Sequence, residues 1–292
     1  MQRLIAALAL TALLLSCTAT REGAHVATEP VQDVFPSIPE VRAVHGVAKL
    51  ELYVVLDPVS GFPAFEYNAA LGVAPTIRVH PGDTIDLTLH NDMRRYAGRP
   101  DDVNVHFHGL TVSPNPPGDD VMMTLAHPGQ TLHYHVAIPA DHEPGLYWYH
   151  PHAHGESYYD VTNGMSGAII VEGMQDHLPA LRSMRERVIV LRDVPTGPGF
   201  ADDDMPIAGM AGMGKRAPSM LRGSQSGPAC RAEAGLQPTL NRQPRARIGI
   251  LPGERQFFRV VNASAARYFD LSVDDAVLEV VARDGVPLDA YP

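Results

Sequence analysis

Cysteine is almost absent from this 292-residue sequence, which contains only Cys17 and Cys230. Cys17 closes an N-terminal segment that carries an export signature, and the rest of the chain then has a single thiol. A single thiol cannot form an internal disulfide. Cys230 lies in the loop-like segment "SGPACRAEAG" with no histidine beside it. We therefore interpret Cys230 as a spare thiol and not as a metal ligand.

An excess of basic residues is also missing. Lysine and arginine number 23 against 33 acidic residues, a formal charge of −10. This balance argues against a general nucleic-acid binder, because such proteins present a basic face. Hydrophobic residues make up 45% of the chain, whose length suits roughly two domains. The unusual abundance is in histidine, with 14 residues.

Long apolar runs are confined to the N-terminus, where Leu4 to Leu15 is too short to cross a bilayer and is typical of a signal-peptide core. The segment "LLSC", which ends at Cys17, resembles a bacterial lipobox. We expect residues 1–17 to be a signal peptide with a lipobox; the alternative is an ordinary signal peptide. The expected product is exported to the periplasmic side of a bacterial membrane, held only by a lipid at Cys17. Residues 18–40 are polar and predict a tether.

Short alternating strand patterns, bounded by glycine or proline, recur through the rest of the chain, and no long segment has helical periodicity. This pattern predicts an all-β fold, a Greek-key β-sandwich or barrel. We expect a first domain at residues 41–174. The pattern restarts at "RVIVLRDV" (187–194), so a second domain is expected at 175–292, with a long loop at about 195–238.

A weak internal repeat supports two copies of one β-domain. The segment "PTIRVHPGDTIDLTLHN" (75–91) has a strand, a Pro-Gly-acid turn and a strand ending in asparagine. The segment "RARIGILPGERQFFRVVNAS" (245–264) repeats this layout. Too few strand signals follow it to close a second sandwich, so we expect the second domain to be incomplete.

Two histidine motifs stand out. "NVHFHG" contains His106 and His108, and "YHPHAHG" contains His150, His152 and His154. Side chains two residues apart on a strand share a face, so each pair can approach one metal ion or two adjacent ions. The proline between His150 and His152 marks a strand end.

A third His-x-His motif, "LHYHV" (132–136), serves as an internal control. Leu132, Tyr134 and Val136 alternate with its two histidines and form the apolar face. We therefore expect His133 and His135 to point to solvent and not to bind metal.

The two motifs "HFHG" and "WYHPHAHG" resemble the N-terminal copper motifs of the multicopper oxidases, the family of laccases and copper-efflux oxidases. The segments "HGLTVSP", "GMSGAIIVEG" and "VARDGVPL" also resemble family segments and follow in the family's order. The resemblance runs from about residue 45 to the C-terminus, apart from the long loop. It implies cupredoxin-like domains, one complete and a second truncated, and copper as the cofactor.

The resemblance also implies roles for individual residues. His106 corresponds to a type-2 copper ligand, His108 and His150 to ligands of one type-3 copper, and His152 to a ligand of the other. His154 corresponds to an extra histidine that is usually not a ligand. Either Asp119 or Asp120 corresponds to an acid that helps deliver protons during dioxygen reduction; the sequence leaves the choice open, and a turn aspartate is the alternative for both.

The motifs that would complete such a copper site are not found. The family's His-x-x-His-x-His and His-Cys-His motifs are missing, and no histidine follows His177. Type-1 copper ligands are therefore expected to be absent, and we expect the chain to be inactive alone, as a truncated product, a fragment or one piece of a split protein. Copper nitrite reductases carry a His-Cys in the first domain where this chain has His152-Ala153-His154, which argues against them.

The resulting hypothesis is a multicopper oxidase-type oxidoreductase that couples oxidation of a phenol, a reduced metal ion or cuprous ion to reduction of dioxygen to water. The alternatives are a non-catalytic exported copper-binding lipoprotein and a remnant without function. A missing C-terminal portion is a possible partner, and nucleic acid is not expected to be one. Four methionines could bind cuprous ion as thioether ligands, although we favour a flexible loop: Met205, Met210, Met213 and Met220.

Overall fold

The computed structural model describes residues 35–93, 102–196, 236–265, 267–273 and 276–288. All of them fall in one unit of the chain, Asp33–Pro292, and the other unit, Met1–Gln32, lies outside the described residues. Cys17, Cys230, the predicted signal peptide and the four loop methionines also lie outside them.

Ten strands between residues 40 and 171 form a β-sandwich, which confirms the predicted fold class for this part of the chain. They make two five-stranded sheets, with strand orders β1-β5-β10-β9-β7 and β4-β3-β2-β6-β8. Their bounds are β1 (Glu40–Arg42), β2 (Val47–Leu56), β3 (Pro63–Tyr67), β4 (Ala70–Leu71), β5 (Thr76–Val79), β6 (Thr84–Asn91), β7 (His106–His108), β8 (Thr131–Ala137), β9 (Gly145–His150) and β10 (Gly167–Val171).

The core between the two sheets follows directly from the alternation in the sequence. On β6, Ile85, Leu87 and Leu89 have no solvent exposure, whereas the residues between them are partly exposed. From the facing sheet, Phe107 and Tyr149 enter the same core. Burying each such aliphatic or aromatic side chain contributes about 1.5–3 kcal/mol. The inward residues are therefore fixed, and their neighbours in the sequence must point outward.

Further elements follow the sandwich. A short helix α1 (Ser157–Thr162) precedes β10; after it come α2 (Met174–His177), a 3-10 helix (Pro179–Ser183), β11 (Arg185–Pro195), β12 (Leu236–Leu240), β13 (Gln256–Asn262), β14 (Ala282–Arg283) and β15 (Val286–Pro287). β11 is central in the sheet β12-β11-β13, and β14 and β15 form a hairpin. The three-stranded sheet packs on the outer face of β9 and β10, where Val190 and Val261 join Ala168 and Trp148 in one apolar cluster.

Two local expectations were wrong. The first half of the repeat at 245–264 is not a strand: residues 245–250 pair with no described strand, and Ile250 is exposed. β12, in contrast, begins inside the expected long loop. It lies at a sheet edge, where a proline such as Pro238 can be tolerated because only one side of the strand is paired.

A buried ion-pair network connects the sandwich sheet that contains β5 and β10 with the three-stranded sheet β12-β11-β13. Arg78 of β5, only 5% exposed, binds Glu40 of β1 at 2.9 Å, Glu172 after β10 at 2.9 Å, and Glu186 of β11. Glu186 also binds Arg259 of β13 at 2.5 Å. These bonds fix the three-stranded sheet against the sandwich.

Among the described residues, no helix is both long and apolar enough to cross a membrane.

Candidate metal centre

The two histidine motifs meet on neighbouring strands. β7 lies at the edge of its sheet and pairs antiparallel with β9, so that His106 is opposite His150 and His108 is opposite Trp148. Because Phe107 and Tyr149 point into the core, these histidines point to the opposite face of the sheet. The site therefore lies on the same sheet face that packs against β11 and β13.

His106, His108 and His150 form a compact group, which we call the triad. Their possible ligand atoms all lie within 4.8 Å of one another. The ring centroid of His106 is 5.3 Å from that of His108 and 5.4 Å from that of His150. Nδ1 of His108 is 3.2 Å from Nε2 of His150.

Hydrogen bonds fix the tautomers of two triad members. Nδ1 of His150 is 2.8 Å from the carbonyl oxygen of Pro151, which can only accept, so this nitrogen carries the proton. Nδ1 of His106 is likewise 2.9 Å from a carboxylate oxygen of Asp119. In both rings the lone pair is then on Nε2, which is the arrangement that partners of metal-binding histidines produce.

The electrostatic environment favours the neutral form of two triad members, His150 and His108. Burial lowers the pKa of His150 to about 4, with smaller contributions from the neighbouring histidines, and outweighs the hydrogen bond to Pro151. Partial burial, followed by the proximity of His106 and His152, also lowers the pKa of His108. Neutral imidazole is the form that binds a metal ion.

The donor set fits a transition-metal ion. Two nitrogens that each lie about 2.0 Å from an ion at a tetrahedral angle are about 3.3 Å apart. The 3.2 Å between Nδ1 of His108 and Nε2 of His150 is close to this value. Imidazole ligands suit copper, zinc, iron and nickel, so the geometry supports metal binding without selecting the metal.

The structure distinguishes the two adjacent aspartates. Asp119 bonds to Nδ1 of His106 and also accepts the backbone N–H of Phe107 at 2.9 Å. Asp120 instead accepts bonds from Met122, Met123 and Thr124 in its own turn. The Met123 backbone bond is the largest of the effects that lower the pKa of Asp120. Asp119 is therefore the acid in contact with His106.

His152 stands beside the triad but not within it. Its ring centroid is 5.4 Å from that of His106 and 6.2 Å from that of His150. Its Nδ1 is buried and has no hydrogen-bond partner among the described residues. We call His106, His108, His150 and His152 together the histidine wall. His154 is exposed, with its ring 6.2 Å from that of His152.

Two further residues, neither of them a histidine, also contact the wall. The indole of Trp148 stacks on His150 with a centroid distance of 4.1 Å and lies 5.0 Å from His108. Asn104 accepts a hydrogen bond from the backbone N–H of His152 at 2.7 Å. The strand register could have indicated Trp148, because it faces His108; the partner of Asn104 needed the three-dimensional structure.

The control motif is on another surface. Tyr134 is buried in the core, and His133 and His135 are exposed on the outer face of the opposite sheet. His133 bonds to Thr88 at 3.3 Å. The structure thus separates this pair from the histidine wall.

Comparison with known proteins identifies this arrangement. The sequence profile described as multicopper oxidase matches residues 64–176, which include the whole histidine wall. Residues 64–176 of this chain are thus similar to the multicopper oxidase family. Such oxidases use copper, and the triad offers part of the ligand set for it.

Individual relatives agree with this match. Laccase-4 of Thanatephorus cucumeris is 25% identical over 225 residues, which cover 74% of this chain and 39% of that protein. Copper resistance protein A of Escherichia coli is 26% identical over 246 residues, covering 72% and 37% respectively. The McoA multicopper oxidase 2F4 variant from the hyperthermophile Aquifex aeolicus is 21% identical, with a TM-score of 0.50 over 79% of this chain and 47% of that one, and so shares the fold. The chain spans less than half the length of these relatives.

Proposed function

We propose that this chain supplies one wall of a multicopper oxidase copper site, in an oxidoreductase that couples oxidation of a phenol or a reduced metal ion to reduction of dioxygen to water. The observation that carries the proposal is the triad, whose ligand atoms lie within 4.8 Å of one another on two paired strands. The family match supports the reaction class, and the substrate is inferred at the level of class only.

Each residue of the wall has a proposed part. His106 is assigned to the type-2 ion, His108 and His150 to one type-3 ion, and His152 to the other. Copper, when bound, would supply the one-electron steps that four-electron reduction of dioxygen requires. The 3.2 Å approach of His108 to His150 supports their sharing of one ion.

Asp119 has two proposed tasks in this site. It orients His106 by accepting a hydrogen bond from its Nδ1–H, which leaves the lone pair of Nε2 for the ion. We also assign to Asp119, as the acid bonded to His106, the relay of protons from solvent to dioxygen as it is reduced. Asp120, whose carboxylate is engaged within its own turn, is assigned a structural role.

We further propose that this chain does not turn over alone. Four histidines are too few to hold a cluster of three copper ions, and His-Cys-His, which would provide a thiolate ligand for type-1 copper, does not occur in the sequence. A second polypeptide segment with further histidines would complete the site. Export, with a lipid at Cys17 on the periplasmic side of a bacterial membrane, is part of this proposal and rests on the N-terminal sequence.

The test is copper retention combined with oxygen uptake. Purified chain is loaded with copper, dialysed and analysed for bound metal, in parallel with His106→Ala/His150→Ala and the control His133→Ala/His135→Ala. We expect copper to be retained by wild type and by the control, but not by the first variant. We also expect no oxygen uptake with phenol or cuprous ion, and uptake by the chain alone would contradict the incompleteness proposal.

A second candidate, a non-catalytic exported copper-binding lipoprotein, is favoured by one observation: His108 is exposed, so the triad is open on one side. Copper that is retained by the chain and transferred to a chelator without any oxidase activity, even after the missing histidine motifs are supplied in a second polypeptide, would favour it.

A further inference from the structure

We propose that Asn104 is a positioning residue for His152, and that its side chain determines whether this histidine can act as a ligand beside the triad. The inference rests on the proposed function, because it concerns copper binding by the histidine wall. It deepens that proposal by assigning a residue other than histidine, the first residue of "NVHFHG", to the metal site.

The pairing between β7 and β9 ends at His150, two residues before His152. β9 ends at His150, and Pro151 has no N–H to donate. The β7–β9 register pairs His106 with His150, and two residues further along it Asn104 is opposite His152. At this position Oδ1 of Asn104 accepts the backbone N–H of His152 at 2.7 Å. A side chain thus replaces the ladder bond beyond the strand end.

The other end of the Asn104 carboxamide is also engaged. Its Nδ2 donates to the carbonyl oxygen of Val121 at 3.3 Å, and the residue has no solvent exposure. Val121 follows Asp119 and Asp120 directly. One buried carboxamide therefore joins the His106 strand, the His152 segment and the acidic turn, so its rotamer is held from both sides.

His152 depends on this backbone bond more than its neighbours do. The rings of His106 and His150 are oriented through Nδ1, by Asp119 and by the Pro151 carbonyl. Nδ1 of His152 has no such partner among the described residues. Its ring position relative to His106, at 5.4 Å between centroids, is therefore set mainly by where the backbone is held.

The primary test uses Asn104→Ala in the full chain, with copper per chain measured by equilibrium dialysis across a range of free copper. The copper that is lost in His152→Ala is the copper that depends on His152. In Asn104→Ala we expect this copper to bind at least about tenfold more weakly, as for other residues that orient ligands, while binding by the triad persists. The double variant Asn104→Ala/His152→Ala should bind copper as His152→Ala does. Wild-type binding by Asn104→Ala, or a further loss in the double variant, would overturn the proposal.

Asn91→Ala is the matched control for lost stability. Asn91 is equally buried in the same sandwich; it donates to Ala126 at 2.9 Å and accepts from Met93 at 3.1 Å. We expect this variant to lose thermal stability while keeping wild-type copper binding. If Asn91→Ala weakens the same copper, the effect of Asn104 is general destabilisation and the proposal fails.

Asn104→Asp keeps the acceptor for the His152 N–H and removes the donor to Val121. It also provides a test if the alanine variant does not fold. Because aspartate keeps this oxygen acceptor but loses the donor, copper binding should be stronger than in Asn104→Ala, with the His152 amide still protected from hydrogen exchange. Loss of both properties in Asn104→Asp would contradict a role through His152. A wild-type chain that retains no copper would instead defeat the proposed function itself, which keeps the two failures distinct.

Discussion

A carboxylate oxygen of Asp119 lies 2.9 Å from Nδ1 of His106, and the same side chain accepts the backbone N–H of Phe107 between the two histidines of β7. One acid therefore fixes both the ring and the strand of the first motif. Asp120, its neighbour in the chain, makes its bonds within the following turn. The adjacent pair provides a natural comparison between a residue that orients a ligand and one that shapes a loop.

We predict that Asp119→Ala weakens copper binding by about 10–100-fold, because His106 loses the partner that holds its tautomer and orientation. Asp120→Ala should lower the Tm through loss of its turn bonds but leave copper affinity close to that of wild type. Copper titration and thermal unfolding of the two variants check this. Equal copper affinities in the two variants would remove Asp119 from the site.

Asp160 on α1 predicts a pH-dependent cost of folding. Burial, and to a lesser degree Glu156, raises the pKa of this carboxyl well above its usual range. The folded chain therefore keeps a proton that the unfolded chain releases above about pH 4, so stability falls as pH rises through and beyond that value. Asp160→Asn, which is neutral at every pH, should be more stable than wild type at pH 7.

The advantage of Asp160→Asn should vanish below about pH 4, where the unfolded-state carboxyl also becomes protonated. Urea unfolding at pH 7 and pH 3.5 measures it, with Asp176→Asn as a control because the Asp176 side chain is 77% exposed. If the stability of the asparagine variant relative to wild type does not increase between pH 3.5 and pH 7, the result would contradict a raised pKa for Asp160.

Gly145, the first residue of β9, allows a steric test of how the β14–β15 hairpin is held. A Cβ at this position would be 1.8 Å from the carbonyl oxygen of Gly285 in the hairpin turn. Gly145→Ala should therefore displace the hairpin and cost about 1–3 kcal/mol of unfolding free energy. Hydrogen exchange should accelerate at residues 282–287.

The control for this prediction is Gly129→Ala. Gly129 has a positive φ of 83°, but a Cβ added to it would have no described atom within 4 Å outside its chain neighbours. Backbone strain should destabilise that variant without changing exchange in the hairpin. Unchanged exchange at 282–287 in Gly145→Ala would mean that the hairpin does not pack against β9.

Much of the fold and of the site follows from local patterns. The alternation on β6 predicts its buried and exposed faces, and the spacing of His106 and His108 predicts that both lie on one face of a strand. His133 and His135 show why spacing alone is insufficient. They have the same His-x-His pattern, and only the positions of their apolar neighbours indicate that this pair lies away from the site. Hydrophobic periodicity decides on which face a side chain lies, because a strand has only two faces.

The remainder depends on long-range contacts that local patterns do not encode. Asp119 and Asp120 are equivalent in sequence, and only the hydrogen bonds of the folded chain distinguish them. The α1 segment "SYYDVT" contains aromatic and β-branched residues with modest helix propensity, so tertiary contacts determine its structure. Asn104 acts through a residue 48 positions away, and a single sequence carries no signal of that bond.

The most direct test of the central claim is copper titration followed by the fluorescence of Trp148, the only tryptophan in the chain. Its ring centroid is 4.1 Å from that of His150, so cupric ion bound by the triad would quench it through close contact. We predict saturable quenching in wild type and in His133→Ala/His135→Ala, and its loss in His106→Ala/His150→Ala. Unquenched wild-type fluorescence, or equal quenching in the His106→Ala/His150→Ala variant, would contradict a copper site at the triad.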